Sequence, residues 1–131
     1  MGSFLQPNII SHRWYPATAD LEVPLLVVPA GQSIRLVKAY GADVTAIAAA
    51  TDNYVTLYIY NRGTAGAGTD VMASGVGTGG LSAKTPSALT LSTTDSELVA
   101  TAGELITAKL DVTGTGAGTT VAVSATFVFS D

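Results

Sequence analysis

The chain has one imidazole, His12, and no cysteine. Nucleophilic catalysis of the Ser-His-Asp kind needs a base beside the nucleophile, so any such triad would have to be built on His12. A zinc centre needs three or four nitrogen, sulfur or carboxylate ligands, and one His without Cys supplies too few. Asp43, Asp52, Asp70, Asp95 and Glu97 punctuate turns. None stands in the D-x-D-x-D-G order of a dedicated calcium loop, so the most they offer is an incidental turn ion. Asp95 and Glu97 have the residue types of a glycosidase pair, but TTDSELVA around them reads as an ordinary polar turn. Two glycine runs, GTAGAG at 63–68 and GTGAG at 114–118, share the composition of phosphate loops. Both lack the closing Lys-Ser/Thr, and neither leads into a helical pattern, so they read as hairpin loops. The inventory points away from an enzyme, a cofactor or a metal site. It points toward a structural or binding module.

Binding chemistry is better represented. In Tyr54–Tyr60 (YVTLYIY) the residues Val55, Leu57 and Ile59 share one face, and Tyr54, Tyr58 and Tyr60 lie with Thr56 on the other. The aliphatic face belongs to a core. The tyrosine face suits a half-wet outer surface, a protein interface or a sugar-stacking platform, because tyrosine joins an apolar body to a polar tip. Residues 1–20 hold a second group: Phe4, Leu5, Ile9, Ile10, Trp14 and Tyr15, in a segment with no sustained period. They either cap the domain's own core or form an arm that docks on a neighbouring subunit or on another protein, Trp and Tyr being favoured anchors.

The elements that position these groups alternate with a period of two, which is the strand period. Leu21–Val28 is a strand whose Pro24 cannot donate to a ladder, so either it lies at an edge or the proline nitrogen faces out. In Ser33–Tyr40, strict alternation puts Ile34, Leu36, Lys38 and Tyr40 on one face. Asp43–Ala50 is the one helix candidate, with Asp43 as its cap; a loop or short strand is equally compatible. Asn61–Gly80 reads as a long loop with one short strand inside it. Further short strands are expected around Leu89–Leu91 and from Glu97 to Ala100. Leu105–Phe129 reads as a closing hairpin of two long arms, with an exposed, mobile tip at Thr113–Thr120. Ala30-Gly31-Gln32 before Ile34 is echoed by Ala102-Gly103-Glu104 before Ile106, which suggests two related strand entries. Many short strands with glycine turns predict an all-β fold. The expected architecture is an antiparallel β-sandwich of jelly-roll type over residues 21–131, with an irregular N-terminal arm over residues 1–20; a barrel is the alternative.

Only 12% of residues are charged, against roughly 25% in ordinary soluble domains, which favours burial against partners and hence an oligomer. The net charge of −4 and the absence of a basic run argue against nucleic acid. No stretch is long and apolar enough for a membrane span, and no secretory signal pattern is present, so synthesis in a cytoplasm is expected.

Taken in order, VVPAGQSIRLVKA, NYVTLYIYNRG with its glycine-rich continuation, the segment PSALTLS, and VATAGELITAKLDVTGTGAGTTVAVSATFVF resemble a known family. The resemblance, over residues 21–129, is to the small β-sandwich decoration, cement or head-fibre proteins of tailed-bacteriophage capsids. It implies a homotrimer on the outer surface of the virion shell, bound to the major capsid protein, with an N-terminal arm reaching the capsid or a sister subunit. Similar domains occur in tail fibres and baseplates, so a receptor- or carbohydrate-binding domain is the alternative.

Overall fold

The computed structural model of the chain describes residues 6–15 and 17–130. The segments of period two, together with parts of the N-terminal segment and of the glycine-rich loop that show none, become strands β1 (Gln6–Trp14), β2 (Leu21–Val27), β3 (Ser33–Ala42), β4 (Tyr54–Asn61), β5 (Asp70–Val76), β6 (Ser87–Ala88), β7 (Thr90–Leu91), β8 (Val99–Thr101), β9 (Leu105–Thr113) and β10 (Val121–Ser130). They form two antiparallel sheets. Sheet A runs β1-β10-β3-β6, with β8 pairing the other end of β3; sheet B runs β2-β9-β4-β5-β7. The apolar faces are pressed together, giving a β-sandwich.

The core lies between the sheets. Val121, Val123, Ala125 and Phe127 of β10 and Ile34 and Leu36 of β3 face Val55, Leu57 and Ile59 of β4 and Ile106, Ala108 and Leu110 of β9, all buried. Each fully buried large apolar side chain contributes about 1.5–3 kcal/mol by leaving water. This alternation is what made the strands readable.

The closing strands do not form a hairpin. β9 sits at the centre of sheet B between β2 and β4, and β10 at the centre of sheet A between β1 and β3. Residues 114–120 therefore cross from one sheet to the other. This connector is pinned rather than loose: Asn53 Oδ1 accepts from Thr115 N at 2.9 Å, and Ala17 exchanges backbone hydrogen bonds with Ala117 and Thr119. Gly114 and Gly116 both have positive φ, and a Cβ on either would fall within 2.4 Å of an oxygen of Asp52, Asn53 or Ala17. Glycine is required there by conformation and by space.

The expected face assignment of β3 holds only for its first half. Leu36 pairs with Phe127 but Lys38 with Thr126, which leaves Val37 as an extra, bulged residue. A one-residue bulge reverses the facing of everything after it. Ala39 goes inside, while Lys38 is exposed and Tyr40 lies half-buried on the outer face. The bulge spares the fold a buried lysine charge without a partner.

Two other segments are decided by the structure. Residues 43–50 take the loop alternative over the helix: Asp43 Oδ1 accepts from Thr45 N at 3.0 Å as a local turn, and Ile47 makes an isolated bridge with Leu81. The segment preceding β2 is not irregular throughout, since β1 pairs with β10 along its whole length, from Gln6↔Phe129 to Trp14↔Val121. The two Ala-Gly echoes meet in space. Val28 N donates to Glu104 O at 3.0 Å and Gly103 N to Val28 O at 2.8 Å, so the turns leading into β3 and β9 lie side by side at one end of the sandwich. No helix among the described residues is long and apolar enough to cross a membrane.

Candidate functional site

The tyrosine row occupies the outer face of sheet B. Tyr54, Tyr58 and Tyr60 are half-buried there, opposite the buried Val55, Leu57 and Ile59. Strand geometry brings i and i+2 side chains together on one face. The Tyr58 and Tyr60 rings stack with centroids 5.4 Å apart at 29°. Arg62, one step further, lays its guanidinium 4.0 Å from the Tyr60 ring centroid. Its Nε and Nη2 donate to the two oxygens of Glu22 on β2, each at 2.7 Å, and its Nη1 donates to Gly68 O at 3.0 Å. Thr107 Oγ1 of β9 donates to the same carboxylate at 2.6 Å. The Arg62 hydrogen bonds hold the Glu22 carboxyl below the usual carboxylate range, against the opposing effect of its burial. Burial and the neighbouring Asp111 carboxylate push the Tyr58 phenol up. On the outer face of sheet B, Glu22, Arg62 and Thr107 satisfy one another, and one face of Tyr60 is already covered by Arg62.

The N-terminal candidates divide. Phe4 and Leu5 lie outside the described residues. Trp14 is buried at 2% exposure, makes an edge-on contact with His12 at 5.0 Å, and Ile10 packs on the core. Both serve the sandwich itself. The Trp14 Nε1 is buried without a hydrogen-bond partner. Ile9 and Tyr15, by contrast, are 72% and 78% exposed. The nine residues of β1 form one edge of sheet A, and the neighbouring Leu21 and Val27 on β2, the edge of sheet B, are also exposed.

A second surface has no counterpart in the sequence reading: the outer face of sheet A. Two neighbouring rungs cross it, Ser11–Ser124–Tyr40 and Arg13–Ala122–Ala42, each taking one residue from β1, β10 and β3. Short side chains at the middle of each rung leave a groove. The Asp43–Thr45 turn, Lys84, Pro86 and Thr119–Thr120 wall one end, an open depression of about 600 Å³. Tyr40 and Pro86 line the continuation past Ser11 and Ser124. Arg13 and Lys84 make no ion pair among the described residues, and the hydroxyls of Ser11, Thr45, Thr119, Thr120 and Ser124 make no hydrogen bond there. Asp43 is 7% exposed, and its Oδ2 is buried without a partner. Only the rung pairing reveals this site, because the signal is an absence of bulk contributed by three distant segments.

No group of three or more His, Cys, Asp or Glu side chains able to hold a metal ion is found among the described residues. No family model matches the chain, and no curated protein and no solved structure matches it.

Proposed function

We propose that this chain is a structural protein of a bacteriophage virion: a capsid decoration, or cement, protein that binds the outer surface of the shell as a homotrimer and stabilises it. The observation that carries the reading is the grouping of exposed apolar side chains. Of the five large exposed hydrophobics among the described residues, Ile9, Tyr15, Leu21 and Val27 lie on or beside β1 and β2. These strands are the long open edges of the two sheets, and they approach each other. Unpaired edges with exposed apolar side chains are a surface that association removes from water. The chain order lends support to a jelly-roll topology, since every connection except β4–β5 passes from one sheet to the other. A cement protein acts by linkage, binding the assembled shell and so shifting the balance against rupture; this asks for broad complementary surface and no turnover.

The test combines light scattering with sedimentation on purified shells. The intact chain is expected to run as a trimer and to co-sediment. The double variant Ile9→Lys, Leu21→Lys should run as a monomer and stay in the supernatant, with an unchanged melting temperature. An intact chain that is monomeric and ignores shells would refute the reading.

A further inference from the structure

We propose that the groove on the outer face of sheet A is a binding site for an acidic saccharide, a chain of hexuronic-acid units. The inference does not depend on shell attachment, which uses the β1/β2 edge.

The argument starts from the floor. On a sheet face the backbone groups are consumed by the ladder, so a ligand lying across Ser11, Ala122, Ser124 and Ala42 finds side chains only. An extended peptide there would leave its own amides unmatched. A sugar ring brings hydroxyls that both donate and accept, and the groove offers five unengaged hydroxyls in return. The volume of this open depression, about 600 Å³, lies within the ordinary range of small-ligand sites. Apolar surface from Pro86, Ala42 and the half-exposed Tyr40 ring supplies the flat contact that the less polar face of a pyranose prefers.

Charge selects the class of sugar. Arg13 and Lys84, two of the six cations in a chain of net charge −4, line this end of the groove with no carboxylate paired to them among the described residues. A ligand carboxylate would meet a forked guanidinium and an ammonium at that end. Asp43 sets one carboxylate against these two cations, which leaves the balance at that end positive. Its Oδ1 accepts from Thr45 N, its carbonyl accepts from Lys84 N at 2.8 Å, and its Oδ2 is buried without a hydrogen-bond partner. Lys84 itself sits at φ +54, an uncommon conformation for a residue with a side chain, held by that same hydrogen bond.

The test uses the intact chain with tetragalacturonate as the acidic probe and maltotetraose as the neutral one, in titration calorimetry. Tetragalacturonate is expected to bind, and maltotetraose at least about tenfold more weakly, because the hydrogen bonds from the two cations are lost. Arg13→Ala and Lys84→Ala should each weaken the acidic probe about tenfold, and Ala122→Leu should abolish its binding by filling the floor, all three with unchanged melting temperatures. Tyr60→Ala, on the other sheet, should bind normally. The proposal is overturned if tetragalacturonate does not bind, if binding survives Ala122→Leu, or if tetraglutamate binds the groove more tightly than the saccharide.

Discussion

The two outer faces of the sandwich are built from the same strand geometry and are left in opposite states. On sheet B, the row Tyr58, Tyr60 and Arg62 is closed by Glu22 and Thr107, and its one cation is paired. On sheet A, the groove positions Ser11, Arg13, Ala122, Ser124 and Ala42 are short or unpaired beside Tyr40, while Arg35 at the β8 end of β3 pairs with Asp95. Large residues placed at i and i+2 along one strand consume each other's surface. Small residues placed across three strands leave a hollow with its charges unspent. A conspicuous aromatic row is therefore a poorer guide to a binding surface than the space left where side chains are small.

The contrast is broken most severely by removing the keystone of the closed face. Arg62→Ala strips a half-buried Glu22 of two charged hydrogen bonds and should cost about 2–3 kcal/mol of unfolding free energy in a urea titration. Arg13→Ala on the open face should stay within about 0.5 kcal/mol of the parent, as surface substitutions without partners do. Equal losses for the two arginines would erase the distinction drawn between the faces.

Acid should act on the closed face in the same direction. Glu22 has a folded-state pKa below its ordinary 4.5, so the unfolded chain takes up its proton first as the pH falls. Its stabilising contribution is complete above about pH 4.5 and is lost as the pH drops through the lower folded value. Thermal melts between pH 6 and 3 should show this decline, and Glu22→Gln should flatten part of it. A decline with the same slope in that variant would remove Glu22 as its source.

A smaller effect is expected at Tyr60. Tyr60→Leu keeps apolar bulk over the sheet and forfeits the cation–π contact with Arg62, which costs about 0.5–1 kcal/mol. Chemical denaturation at matched pH resolves a change of that size. No loss would mean that Arg62 rests on Tyr60 without being held by it.

How much of this was legible depends on whether the signal was local. Val55, Leu57 and Ile59 announced a buried strand face because each is large and their spacing is strict, and all three are fully buried. The echo at Gly31 and Gly103 marked two turns at one end of the sandwich, where Val28, just ahead of the first, bonds Gly103 and Glu104 of the second. β1 was hidden because QPNIISHRW places Ile9 and Ile10 on opposite faces beside polar neighbours, so no period stands out; β10 gives it a partner. The Val37 bulge was hidden because a shift in register is decided by the opposite strand, not by Ser33–Ala42. Asp43–Ala50 has helical composition, but Ile47 finds its hydrogen bonds at Leu81, 34 residues on. Of the candidate contacts, Trp14 was large enough to be noticed and was claimed by the core, whereas Arg13 beside it drew no notice and lines the open groove.

The central claim is that the chain is carried on the capsid through its β1/β2 edge. Electron microscopy of purified virions labelled with an antibody to the chain tests it most directly. The account predicts label distributed over the heads, lost when Ile9→Lys, Leu21→Lys replaces the parent chain. Label confined to the tails, or none on the particle, would contradict it.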